Sequence, residues 1–179
     1  NGWVQRLDAD SLPRYFHKSC YFGGEAVQVE LIAAPNSRDN QLQITSLTAG
    51  MPAQETICGT VDNRVLITDI RQGRLLPVGC TGWLISPDVM LTAGHCFGSS
   101  FNQILSFKVP LSNADGSLNP SHPDDQYPTI ASTGKNLNAG IGADWGICRI
   151  GKNSNTTLRP GDAYGSWYTI GNVPSSPSG

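Results

Sequence analysis

Gly79-Cys80-Thr81-Gly82-Trp83-Leu84-Ile85-Ser86-Pro87-Asp88-Val89-Met90-Leu91-Thr92-Ala93-Gly94-His95-Cys96 is the stretch on which the reading of this chain turns. Two apolar runs, 81–85 and 89–92, flank a Pro-Asp turn, the pattern of two strands folded back on each other. A cysteine stands near each end, and the two could meet if the strands pair antiparallel. A bridge there would close a short loop, restrict the unfolded chain by about 3 kcal/mol, and hold His95 on backbone that cannot drift. General-base chemistry needs that rigidity, because a misplacement of about an ångström costs roughly a hundredfold in rate.

Outward from this hairpin, further short apolar runs follow at 65–67, 104–109, 144–150 and 167–170. Turn formers separate them, and about six strands are the complement of one small β-barrel. The 20 glycines and 12 prolines are spread along the chain, which favours brief strands over long helices. An all-β class is expected. Residues 111–127 are too polar and too interrupted by Pro and Gly for an element and read as a long surface loop. Asp124 and Asp125 within it read as solvated side chains rather than calcium ligands, since a hard cation needs six or more oxygens around one centre.

Upstream, residues 20–22, 27–32 and 42–47 alternate apolar and polar side chains around a polar stretch at 35–40. That pattern predicts a half-buried hairpin, a small β module of its own. Turn formers at 50–56 mark a linker, so the expected organisation is an N-terminal module over 1–56 and a β-barrel unit over 57–179. The module is either a propeptide that blocks a cleft until removed or a permanent accessory domain.

Charge excludes some partners. With 12 Lys and Arg against 14 Asp and Glu, the net charge is −2 and no basic run stands out, so neither nucleic acid nor an anionic membrane is favoured. No apolar run approaches the length of a membrane-spanning helix. The five cysteines, at 20, 58, 80, 96 and 148, suit disulfides in an oxidising, extracellular compartment. They contain no CxxC, which makes zinc a poor reading, and no metal or organic cofactor is expected. The pairing of Cys20, Cys58 and Cys148 is left open. Asn155-Thr156-Thr157 fits the glycosylation pattern, relevant only in a eukaryotic secretory pathway.

Thr92-Ala93-Gly94-His95-Cys96 resembles the histidine motif of the chymotrypsin/trypsin-like serine peptidases, Thr-Ala-Ala-His-Cys, with Gly for the second Ala as in the bacterial glutamyl-endopeptidase-like branch. Cys80 and Cys96 match the pair that family bridges. Ala143-Asp144-Trp145-Gly146-Ile147-Cys148-Arg149-Ile150 is similar to the family's aspartate strand, and weaker similarity runs over about 57–175. The resemblance implies a first six-stranded barrel of the usual two, with His95 as general base. Asp144 is then the carboxylate that orients it. It implies a serine endopeptidase acting on polypeptides.

The serine motif of the family, Gly-(Asp or Asn)-Ser-Gly-Gly, is not found, and Ser178-Gly179 lacks its flanks. The nucleophile and its oxyanion donors are therefore expected from a second barrel, in a C-terminal segment or a partner chain. The 179 residues alone are expected to be inactive. The alternative is a non-catalytic protease homologue used as a binding module. Blander readings compete elsewhere: His17 and His122 as surface or satisfied residues, Trp83, Trp145 and Trp167 as core or rim packing, and Asp144 as a strand-edge cap.

Overall fold

The computed structural model describes residues 2–47, 66, 68–97, 100–113 and 117–172. Six strands, β1 (Gln72–Leu76), β2 (Thr81–Ser86), β3 (Val89–Thr92), β4 (Ile104–Ser106), β5 (Gln126–Asn138) and β6 (Asp144–Ile150), close into a barrel in the order β1-β2-β3-β6-β5-β4. Every pairing is antiparallel. Helix is limited to two short pieces, α1 (Ser11–Arg14) and α2 (Pro160–Tyr164), with single 3-10 turns at Gly94–Phe97 and Pro123–Asp125.

The alternation visible in the sequence sets the barrel wall. Along β6, Gly146, Cys148 and Ile150 point inward while Trp145, Ile147 and Arg149 face out, as the period-2 geometry of a strand demands. Leu84 and Met90 do the same from β2 and β3. They meet Leu75, Leu105, Phe107 and Tyr127 in one core. Burying such side chains contributes about 1.5–3 kcal/mol each.

Two strands were not anticipated. β1 carries Gln72 and Arg74 outward and shows only Leu75 and Leu76 as a signal. β5 starts inside the stretch read as a loop because its buried positions include polar Gln126 and Thr129. Both are satisfied: the Gln126 side chain donates to Ser121 O at 2.8 Å, and Thr129 Oγ1 donates to Phe101 O. Conversely, 167–170 forms no strand. It makes one backbone bond to the barrel, Tyr168 N to Leu84 O at 2.8 Å, and the Tyr168 ring lies under the Arg71 guanidinium. Asp125 is not solvated either, for it is buried and accepts from Tyr164 Oη at 2.7 Å and Lys108 Nζ at 2.9 Å.

The hairpin predicted within 27–47 does not form: these residues contain no strand, and all are exposed. A turn closes between Ala34 and Ser37, but the flanking apolar side chains stay open to solvent, with Ile32 82% and Leu47 90% exposed. A two-stranded hairpin without a third layer is marginal in water. Residues 2–22 behave differently and lie as a strap on the barrel. Tyr15 is fully buried with Cys20 against Leu76 and Ile104, a second small core. The linker expected at 50–56, like residue 57 and Cys58, lies outside the described residues.

Candidate functional site

His95 follows β3 in the 3-10 turn Gly94–Phe97, and Asp144 opens β6. Because β3 pairs with β6 in the register Thr92↔Gly146, the end of one strand and the start of the other arrive at the same edge of the sheet. Residues separated by 49 positions in sequence are thereby adjacent.

The Asp144 carboxylate holds His95 at two points. Oδ1 accepts from the His95 backbone N–H at 2.8 Å, and Oδ2 lies 2.6 Å from Nδ1 of the ring. Those two bonds keep the Asp144 pKa below the ordinary carboxylate value, so it is ionised at neutral pH. An ionised carboxylate only accepts, which places the ring proton on Nδ1 and leaves the lone pair on Nε2. Among the described residues Nε2 has no hydrogen-bond partner, and the His95 side chain is 59% exposed against 26% for Asp144. The pair thus presents a basic nitrogen to the outside from a fixed mount.

The mount has four supports. Cys80 and Cys96 form a disulfide, with Cα atoms 6.0 Å apart, so the residue next to His95 is tied to the entry of β2. Buried Gln103 donates from Nε2 to Cys96 O at 2.8 Å, and Thr92 Oγ1 donates to Thr81 O at 2.7 Å. Asn136 of β5 donates to Gly94 O at 3.2 Å. Neither Gln103 nor Asn136 carries a sequence signal, since both are isolated amides whose role depends on chain-distant neighbours.

Two glycines set the spacing. A Cβ on Gly94 would run into the carbonyl oxygens of Leu137 and Trp145, the backbone of β5 and β6 behind the turn. A Cβ on Gly146 would meet the Phe97 ring at 2.6 Å. That ring belongs to the barrel core and packs at a tilt on Phe101 with centroids 4.1 Å apart. The Gly that departs from the Thr-Ala-Ala-His-Cys pattern therefore has a local steric cause.

Cys80, His95 and Cys96 present a sulfur, nitrogen and sulfur within 4.8 Å of one another. With the sulfurs joined they are not thiolates, the form that binds zinc. Cys20 and Cys148 are free and buried, each thiol pushed up to about 12 by burial. Trp83, Trp145 and Trp167 sit on the barrel surface, about two-fifths exposed, rather than in the core. His122 accepts from Asp124 N through Nδ1 at 3.2 Å and lies edge-on to Trp3. The Asn155 side-chain amide donates to Val4 O and Asp124 Oδ1, both at 2.7 Å, so the glycosylation-pattern nitrogen is engaged.

No protein-family model and no curated protein matches this chain. No helix among the described residues is long and apolar enough to cross a membrane.

Proposed function

We propose that this chain carries the general-base half of a serine endopeptidase site, built on a chymotrypsin-like first barrel and working outside the cell. The observation that carries the reading is the two-point grip of Asp144 on His95, with Nε2 directed away from the carboxylate and without a partner among the described residues. In this reading Nε2 takes the proton of a serine hydroxyl as its oxygen attacks a peptide carbonyl. It then returns that proton to the leaving amine. Asp144 fixes the tautomer and stabilises the imidazolium formed between the two steps, without itself taking the proton.

The serine and the backbone donors for the oxyanion belong, on this proposal, to a second barrel in a further segment or a partner chain. The disulfide beside the histidine supports an oxidising compartment.

The test is labelling of the intact protein by a serine-directed fluorophosphonate, followed by peptide mapping. One adducted serine is expected, and His95→Ala should abolish labelling while the far-UV circular dichroism is unchanged. Absence of any adduct from well-folded intact protein would reject the enzyme and leave a non-catalytic homologue.

A further inference from the structure

We propose that the exposed arm at residues 23–47 is a site of limited proteolysis, and that the strap at 2–22 stays on the barrel after the arm is cut, giving a two-chain protein. The inference is independent of the catalytic reading of His95 and Asp144.

The strap is held by groups that need no covalent help. Tyr15 Oη donates to Gln126 O at 3.0 Å and accepts from Ser154 N at 3.1 Å, with its ring fully buried. The Gln126 side chain brackets Tyr21 like a neighbouring strand, accepting from its N–H at 2.9 Å and donating to its carbonyl at 2.8 Å. Nearer the start, Arg6 N donates to Asn155 Oδ1 at 2.8 Å, and Asn155 Nδ2 donates back to Val4 O. These hydrogen bonds, of which the one from Tyr15 to Gln126 O is buried, add to the apolar area covered by Tyr15 and Cys20.

The arm is the opposite. Every residue from 23 to 47 is exposed, and its backbone bond outside regular structure is the turn from Ser37 N to Ala34 O. An endopeptidase takes its substrate as an extended strand, pairing backbone N–H and C=O groups that must be free. Among the described residues, 26–33 make no backbone hydrogen bond, and Val27, Val29 and Leu31 alternate with Gln28 and Glu30. Two other segments meet that requirement less well. Arg38 sits between Asn36 and Asp39, both with positive φ, so the turn must open before cleavage. Glu25 follows Gly23, which lies against Pro120, so the residues before it are still attached to the body. Within 26–33 a glutamate-specific endopeptidase has one bond to cut, Glu30–Leu31, and that bond is the probe of the segment. Water supplies hydroxyl to the Glu30 carbonyl carbon and a proton to the Leu31 nitrogen, with no redox change. Exposed, unbonded segments are where such nicking concentrates.

Sequence makes the experiment clean, because glutamate occurs only at positions 25, 30 and 55. Full-length Glu55→Gln protein is treated in native buffer with a glutamate-specific endopeptidase and passed through a sizing column. The first product should be the 1–30 fragment, and both fragments should elute together in equal amounts, separating only in denaturant. Tyr15→Phe keeps the ring but removes both hydroxyl bonds and should release the strap from nicked protein at lower urea. Resistance of native protein to cutting at Glu30, prior cutting at Glu25, or elution of the strap fragment apart from the barrel would each overturn the proposal. Glu30→Gln, expected to slow the first cut at least tenfold, separates cleavage at this bond from general unfolding.

Discussion

Gly94→Ala tests the architecture of the site most directly. The added methyl would stand 2.7 Å from Trp145 O and 2.8 Å from Leu137 C, with Leu137 O closer still. Relief requires the turn or the strands behind it to move by more than about an ångström, because Leu137 O is the nearest obstacle and an ordinary contact is 3.4 Å or more. The obstacle is backbone, not a side chain that can swing aside. Leu137 and Trp145 are paired across β5 and β6, so both strands must move together. Overpacking of this sort costs about 1–3 kcal/mol, and a rigid backbone obstacle places the change near the upper figure. Lost freedom of the unfolded chain works the other way, but a Gly-to-Ala change returns only about 0.4–1 kcal/mol. The net expectation is about 2 kcal/mol of destabilisation.

Urea unfolding followed by tryptophan fluorescence reads this out. With an m-value of about 1–3 kcal/mol/M, the midpoint should fall by roughly 1 M. Gly171→Ala, a position with open space around it, is the control and should stay within about 0.5 kcal/mol. The displaced turn should also lengthen the bond from the His95 amide to Asp144, moving that amide's resonance and raising its hydrogen-exchange rate. A Gly94→Ala protein with unchanged midpoint and His95 amide would refute the claim that β5 and β6 set the position of the histidine.

On the proposed reading, Asp144→Asn should leave the barrel folded and lower peptidase activity of the intact protein by about ten-thousandfold, the loss expected when a Ser-His-Asp histidine takes the wrong tautomer, measured with a chromogenic peptide. Asp144 has its pKa lowered by His95, so its stabilisation is complete above the ordinary carboxylate value and is lost as pH falls through the lower, folded value. The stability gap between wild type and Asp144→Asn should therefore shrink on acidification below about pH 4 in urea titrations. Replacing both Cys80 and Cys96 by Ala should cost about 3 kcal/mol, since the bridge spans 16 residues of sequence. Cys20 and Cys148 should resist iodoacetamide at pH 8 in native protein and react fully in urea, as mapped on their own peptides, because burial pushes both thiols up to about 12.

What was legible in the sequence was what is local. β2, β3 and β6 have clean alternation and clear turns, and the His and Asp segments stand on those three strands. The strands missed were those that mix polar residues or glycine with apolar ones at their buried positions. β5 buries Gln126 and Thr129, whose partners, Ser121 and Phe101, belong to loops that periodicity does not register. β1 has Gly73 at an inward position facing Ser106 O. The false hairpin at 27–47 has the right alternation but no surface to cover it, and alternation alone does not supply one. The strap was illegible for a related reason. Tyr15 and Cys20 carry no period of their own and are buried only because Leu76, Ile104 and Gln126 converge there.

The same distinction separates the two halves of the site. Everything that orients His95 lies within the barrel: the β3–β6 register, the disulfide, the amides of Gln103 and Asn136, and the backbone behind Gly94. No further body is needed to place the imidazole on the carboxylate. What the barrel leaves undone is dielectric. With the ring 59% exposed, charge on it is stabilised by water, which must reorganise at each proton transfer. Preorganised donors outperform water only where water is excluded, because charge interactions weaken as the local dielectric rises. On the proposed reading, the second barrel therefore does more than bring a serine. By covering the outer edge of His95 it turns a water-screened ion pair into a desolvated one, and the Asp144 carboxylate gains most of its influence on the imidazolium at that step.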